Sequence, residues 1–176
     1  MMSTRNRITT TILATLLGAS ALGSVALASS LDASQLQAIR VSAEQALVTA
    51  ELQVQGSKAV ELELEQGQQQ AYYEVKLLGA DSKHEVKIDA VDGAVLSTRD
   101  KHASGAANKL QGVKVSAAQA ASNAETLYAG GKAVKVDLER EKGQLLYEVD
   151  VVTPQQKYEV LVDAASGQVL SAEKNR

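Results

Sequence analysis

The sequence of 176 residues contains no cysteine, no tryptophan and no phenylalanine, and it has only one proline and five tyrosines. The absence of cysteine excludes disulfide bonds and thiolate metal ligands, so the folded chain must be stabilised by packing alone. Recognition of sugars and nucleic-acid bases usually depends on aromatic side chains, and their scarcity argues against both kinds of ligand.

Positive charge is also in short supply, because 18 lysines and arginines face 21 acidic residues and give a net charge of −3. A mildly acidic protein repels phosphate groups. This charge balance argues against nucleic acids and anionic membrane surfaces as partners.

The first 28 residues have the layout of a secretory signal peptide. Arg5 and Arg7 form a basic start, residues 8–27 are apolar and small, and an A-x-A motif ends at Ala28. Cleavage there removes 28 of the 176 residues, leaving 148 with a net charge of −5, because the signal has two arginines and no acid. We therefore predict a periplasmic or secreted protein. The alternative is a retained membrane anchor, since about 20 residues can just span a bilayer.

Residues 36–97 and 110–171 are two copies of one sequence. They align without a gap at an offset of 74 residues, with 28 identities in 62 positions. Two copies are too few for a solenoid, and a unit of this size buries only about 60% of its surface alone. We predict two small domains that pack as a pseudo-symmetric pair, with residues 98–109 as an exposed linker. Residues 31–39 are expected to form a short helix before the first copy.

Each copy begins with a predicted helix. An S-x-x-Q capping box opens it at Ser42 and again at Ser116. The apolar positions that follow at helical spacing are mostly alanine, so the helix can lie close to the surface that it covers. The glycines expected to end the two helices are Gly56, Gly130 and Gly131.

Three runs of alternating apolar and polar residues follow each helix. A period of two with one polar face predicts an antiparallel sheet that is wetted on one side and covered by the helix on the other. The predicted fold class is therefore α+β, with two tandem repeats that each pack a helix on a small antiparallel sheet.

The polar face of the first repeat carries several acids that are candidates for acid–base chemistry. We interpret them instead as a solvated strand face that keeps the protein soluble. These acids are Glu61, Glu63, Glu65, Glu74 and Glu85.

One turn sequence, D-A-x-x-G-x-V-L, closes the third strand in both copies. Asp89 and Asp163 can accept hydrogen bonds from the backbone two residues on, and Gly93 supplies the positive φ of a tight hairpin. A short fourth strand is expected to follow. A calcium site at Asp89 and Asp92 is the alternative. The turn is favoured because Ser166 replaces Asp92 in the second copy.

The remaining chemical signals are weak. The chain has two histidines, His84 in the third strand and His102 in the linker, and it has no H-x-x-H or H-E-x-x-H motif for zinc. We interpret His84 as a half-buried sheet residue. Residues 130–132 read Gly-Gly-Lys but follow a helix, whereas a phosphate loop follows a strand. No G-x-S-x-G elbow of a serine hydrolase is present.

The most specific elements of the repeat are Y-E-V and D-A-x-x-G-x-V-L, which start at Tyr73 and Asp89 and again at Tyr147 and Asp163. This pattern resembles a tandem of two PepSY domains, over nearly all of the predicted mature chain. The resemblance implies a helix on a small antiparallel sheet in an exported protein. PepSY domains occur in propeptides of thermolysin-type metallopeptidases, where an inhibitory or chaperoning role is proposed, and in bacterial envelope proteins. The resemblance supplies no catalytic residues.

Taken together, these features predict a non-enzymatic protein-interaction module. Its expected partner is an exported peptidase or another cell-envelope protein, bound to an exposed sheet edge by strand addition. The alternative is a periplasmic protein that binds a small molecule or a metal ion. We predict no catalytic residue, no cofactor, no metal ligand, and no nucleic-acid or membrane partner after signal removal.

Overall fold

The computed structural model describes residues 33–174, so the predicted signal peptide lies outside the described residues. The helices are α1 (Ala33–Ala38), α2 (Ala43–Gln53), a 3-10 helix (Ala106–Leu110) and α3 (Ala117–Glu125). The strands of the first repeat are β1 (Lys58–Gln66), β2 (Ala71–Leu78), β3 (Ser82–Asp89) and β4 (Val95–His102). The strands of the second repeat are β5 (Lys132–Glu141), β6 (Gln144–Val152), β7 (Lys157–Asp163) and β8 (Val169–Lys174). None of the helices in this part of the chain is long and apolar enough to cross a membrane.

Both predicted capping boxes are present. In α2 the Gln45 N–H donates to Ser42 Oγ at 3.2 Å, and the Ser42 N–H donates to Gln45 Oε1 at 2.9 Å. The same reciprocal pair opens α3. Both helices end before the predicted glycines, α2 at Gln53 and α3 at Glu125. The glycines lie in the turns to the next strands, where Gly56 has a φ of +81°.

The eight strands form one antiparallel sheet in the order β4-β3-β2-β1-β5-β6-β7-β8. The sequence predicted a small sheet for each repeat, and the structure differs because β1 pairs directly with β5. A four-stranded sheet has two unpaired edges, which is unfavourable for the edge backbone groups. Two separate sheets would have four edges. Pairing β1 with β5 gives hydrogen-bond partners to backbone groups on two of them.

The β1–β5 junction has the symmetry of the repeat. Leu62 faces Val136 across it, and these two residues occupy equivalent positions, since 136 is 62 plus the offset of 74. Because β1 and β5 run antiparallel, a pseudo-two-fold axis passes through this pair. Each position on the sheet of one repeat therefore has one equivalent in the other, as in an isologous interface between identical subunits.

Helices α2 and α3 contact each other and lie on the same face of the sheet. Their inner stripes are almost entirely alanine and fully buried. Opposite them, the inward residues of the central strands form the core, which includes Leu62, Leu64, Tyr73, Val75, Val136, Tyr147 and Val149. The small alanine side chains allow both helices to approach the sheet closely.

The connector between the repeats, predicted as an exposed linker at residues 98–109, begins inside β4. Strand β4 is longer than the short strand expected and continues to His102. The 3-10 helix occupies much of the rest, and its Ala106 is buried. The polar sequence of residues 98–102 fits an outer strand with one neighbour, where charged side chains are tolerated and protect against aggregation.

In each repeat, two side chains connect the helix to the strands by hydrogen bonds. The buried hydroxyl of Tyr73 donates to the Val41 carbonyl at 2.9 Å, just before the α2 cap, and Tyr147 does the same for α3. At the other end of α2, Glu51 Oε1 accepts the N–H of Ala59 at 3.0 Å, beside a β-bulge in β1. These contacts were not predicted from the sequence, although the tyrosine and the glutamate are identical in the two copies.

Candidate functional site

The five acids predicted for the polar strand face lie on the side of the sheet away from the helices, which we call the open face. Their register places Glu63 beside Glu74, and Lys76 between Glu61 and Glu85. Three of the five form ion pairs with cations of neighbouring strands: Glu61 with Lys76 at 2.5 Å, Glu74 with Lys87 at 3.0 Å, and Glu85 with Arg99 at 3.1 Å. In the first repeat, ion pairs with neighbouring strands therefore neutralise much of the negative charge of the open face.

Glu65 is the most buried member of this group, at 8% exposure. Burial, together with the negative charges of Glu63 and Glu74, raises the pKa of Glu65. The carboxyl with a lowered pKa among the described residues, Asp163, lies at the end of β7 in the second repeat rather than beside Glu65 in β1, whereas acid–base catalysis places an acid and a base with separated pKa values in one site.

The repeated turn accounts for the carboxylate of Asp89. Asp89 Oδ1 accepts the N–H groups of Val91 at 2.6 Å and Asp92 at 3.2 Å, and Oδ2 accepts the side-chain amide of Gln70. Asp92 in turn accepts the N–H of Ala94 at 2.9 Å. With these oxygens committed to backbone and amide donors, the geometry favours the structural turn over the calcium site.

The equivalent turn in the second repeat predicts a dependence of stability on pH. Hydrogen bonds from Gln144 at 2.8 Å and from the hydroxyl and N–H of Ser166 at 2.7 Å lower the pKa of Asp163 to about 2. An unfolded aspartate titrates near 3.9. The stabilisation is therefore complete above about pH 4 and is lost as the pH falls through about 2.

Urea unfolding of the wild type and of Asp163→Asn between pH 2 and pH 5 checks this dependence. We expect the wild type to lose stability more steeply than the variant over this range. Equal slopes for the two proteins would show that Asp163 is not the group responsible.

His84 lies in β3 with its side chain 13% exposed. Its Nδ1 is 2.6 Å from Asp100 Oδ1, and its Nε2 is 2.7 Å from Ser82 Oγ. This chain of serine, histidine and aspartate has the hydrogen-bonding order of a hydrolase triad. This arrangement was not predicted from the sequence, because the three residues follow none of the known motif spacings.

Two features distinguish this Ser82–His84–Asp100 arrangement from a catalytic triad. The Asp100 side chain is 70% exposed, whereas the aspartate of a triad is buried so that it holds the imidazole in one orientation. The Ser82 hydroxyl lies against the backbone of Gly79, where an added Cβ would be 2.4 Å from Oγ, rather than facing a cleft. The arrangement instead ties the start of β3 to the end of β4.

A cleft of about 510 Å³ is lined by the four strands of the first repeat, by Lys109 of the connector and by β5 of the second repeat. Its walls combine apolar groups with charges of both signs, including Leu78, His84, Arg99, Lys109 and Asp137. This volume falls within the range of small-molecule sites, about 300–1,000 Å³.

The outer strands β4 and β8 each pair with one neighbour, so their outer backbone groups have no strand partner among the described residues. Each begins with an exposed apolar pair. Val95 and Leu96 are 38% and 48% exposed, and their equivalents Val169 and Leu170 are 37% and 48% exposed. The near-identical values show that the two edges present the same apolar surface.

Comparison with known proteins gives a family match over most of the chain. The family described as "Peptidase propeptide and YPEB domain", PepSY, matches residues 40–99 and residues 114–173, again with an offset of 74. No curated protein matches the chain in sequence.

Two solved structures are similar to the chain. A candidate lipoprotein (CD1622) of Clostridium difficile 630 is 22% identical, with 78% of this chain and 95% of that chain covered and a TM-score of 0.48. The C-terminal domain of YpeB from Bacillus megaterium is 17% identical, with 78% and 66% covered and a TM-score of 0.29. On the family match, which covers both halves of the repeat, the chain belongs to the PepSY family and carries two copies of its domain.

Proposed function

We propose that this protein is an exported, non-enzymatic interaction module that binds an extended segment of an exported peptidase along an outer strand of its sheet. It acts in the periplasm or outside the cell after removal of residues 1–28. A peptidase is the favoured class of partner because the family is described by its place in peptidase propeptides. In this proposal each repeat, a helix with its four strands, contributes one binding edge.

The observation that carries the proposal is the pair of outer strands. Their free N–H and C=O groups can hydrogen-bond a partner segment, as in strand addition, where alternate side chains fill neighbouring pockets. The exposed Leu96 and Leu170 supply apolar area beside the free backbone of each edge. The charged residues that follow in β4 limit pairing with other copies of the same chain.

Inhibition of a thermolysin-type metallopeptidase by residues 29–176 tests the proposal. We expect a saturable, dose-dependent fall in the rate of peptide hydrolysis. Leu96→Glu combined with Leu170→Glu should raise the half-inhibitory concentration at least tenfold, since charges replace both apolar contacts. Leu52→Glu is the matched control, because Leu52 is 70% exposed on α2, away from both edges. Full activity at saturating protein, or equal inhibition by the edge variant, would contradict the proposal.

A second candidate function, binding of a small polar molecule, is favoured by the cleft at the connector. Its mixed charges and apolar walls suit a ligand with polar groups on a compact carbon frame. One small molecule that raises the melting temperature of the wild type but not of the Arg99→Ala variant would support this alternative.

A further inference from the structure

The pseudo-two-fold axis allows the two halves of the open face to be compared position by position. Positions whose charge differs between the repeats show where the two halves of the open face are electrostatically unlike. On this face, three charges reverse between the repeats: the cations Lys76 and Arg99 become the acids Asp150 and Glu173, and the acid Glu61 becomes Lys135.

These exchanges change the charge pattern of a row of residues that lie side by side on the four strands of each repeat. In the first repeat the row alternates in sign, and its members are Glu61, Lys76, Glu85 and Arg99. In the second repeat the equivalent row contains three adjacent acids, and its members are Lys135, Asp150, Glu159 and Glu173. Like charges directly opposite each other on neighbouring strands are destabilising. The second repeat therefore concentrates negative charge at the position where the first repeat neutralises it.

Glu148, Asp150 and Glu159 each place one carboxylate oxygen within 4.8 Å of the others. Two lysines balance part of this charge, with Lys157 Nζ at 2.7 Å from Asp150 Oδ2 and Lys135 Nζ at 2.7 Å from Glu148 Oε1. Counting Glu173, four carboxylates face two ammonium groups. Among residues 33–174, the ion pairs of this cluster involve Glu148 and Asp150, which leaves Glu159 and Glu173 without one.

Asp150 is the centre of the cluster and is only 3% exposed. Its Oδ1 is fully buried and accepts no hydrogen bond from the described residues. A buried anionic oxygen without a donor is strongly unfavourable, and such atoms are rare unless a water or an ion satisfies them. Burial and the neighbouring charges of Glu148 and Asp150 raise the pKa of Glu159, as expected where negative charge is in excess.

We propose that Glu148, Asp150 and Glu159 bind a hard divalent cation, Ca²⁺, on the open face of the second repeat. The donors are all carboxylate oxygens, which favour Ca²⁺, Mg²⁺ and Mn²⁺ over the softer metals that prefer nitrogen or sulfur. The three side chains come from the adjacent strands β6 and β7, and water can complete the coordination from the open side. Ca²⁺ accepts irregular sets of six to eight oxygens, whereas Mg²⁺ requires near-ideal octahedral geometry.

Calorimetric titration of residues 29–176 with CaCl₂, after treatment with EDTA, tests the site directly. We expect saturable binding with a dissociation constant of about 10⁻⁴–10⁻³ M, as in calcium sites of extracellular modules. At about 10 mM Ca²⁺ the melting temperature should rise by roughly 5 °C. NaCl at the same ionic strength should leave it unchanged. The absence of saturable heat, or an equal effect of NaCl, would overturn the proposal.

The repeat provides matched control variants. Asp150→Asn should weaken Ca²⁺ binding at least tenfold, because it removes the charge at the centre of the cluster while keeping the side-chain shape. Glu85→Gln, at the position equivalent to Glu159 in the first repeat, should leave the affinity unchanged. Glu159→Gln, at a half-buried position, gives the same test as Asp150→Asn if the latter does not fold. Unchanged affinity in the second-repeat variants, or an equal loss with Glu85→Gln, would place the cation elsewhere or exclude it.

Discussion

Replacement of Tyr73 by alanine is expected to lower the free energy of unfolding by about 3–5 kcal/mol, the range for removing a large aromatic side chain from a core. The ring of Tyr73 is fully buried on β2, and its hydroxyl donates to the Val41 carbonyl, one residue before the α2 cap. The substitution thus creates a cavity between helix and sheet and also releases the start of the helix. Burial raises the pKa of Tyr73, so the hydroxyl remains a donor throughout the pH range of such experiments.

Tyr73→Phe separates the two contributions to this effect. It keeps the ring and removes only the hydrogen bond, so we expect a loss of about 1 kcal/mol in urea unfolding. Tyr147→Phe should have the same effect within about 0.5 kcal/mol, because its hydroxyl makes the equivalent bond to Val115 at 3.0 Å. If Tyr73→Ala and Tyr73→Phe had equal effects, the ring would not be packed as described.

Leu62→Ala is the second substitution with a large expected effect, a loss of about 2–5 kcal/mol. Leu62 is fully buried and faces Val136 at the pseudo-two-fold axis. Because β1 and β5 form the junction of the sheet, we expect the variant to destabilise both repeats in one cooperative transition. Amide hydrogen exchange should accelerate in β2 and in β6 by similar factors.

The control for this experiment is Leu52→Ala, at a residue that is 70% exposed on α2. Such surface substitutions usually change stability by less than about 0.5 kcal/mol. Faster exchange in the first repeat alone, with β6 unaffected by Leu62→Ala, would mean that the repeats unfold as independent units despite their shared sheet.

The local structure of each repeat could be read from the sequence because short-range patterns specify it. The capping boxes at Ser42 and Ser116 begin α2 and α3 where predicted, and the alternation of Val60 to Leu64 indicated β1. The turn after Asp89 also forms as expected, because the carboxylate and the backbone donors that satisfy it are only two and three residues apart. These interactions do not depend on how the repeats are arranged.

The candidate sites were harder to predict because they depend on neighbours that are distant along the chain. Ser82, His84 and Asp100 meet only because β3 and β4 pair in one register. The acid cluster of the second repeat had a signal in the sequence, because the cations Lys76 and Arg99 of the first copy are replaced by the acids Asp150 and Glu173 in the second. A cluster could be inferred from this signal only once the strand pairing was known, because the pairing places Asp150 and Glu173 on either side of Glu159.

By itself the sequence determined the duplication, the α+β class, the helix starts, the strands and the family resemblance, since each depends on periodicity or on residues close together in the chain. Only the tertiary structure decided that the two repeats share one sheet through β1 and β5, that β4 and β8 are its outer strands, and that a buried carboxylate oxygen of Asp150 lies among other acids. Strand order and cross-strand charge are set by pairing between distant segments, and alternation along a strand is the same whichever neighbour it has.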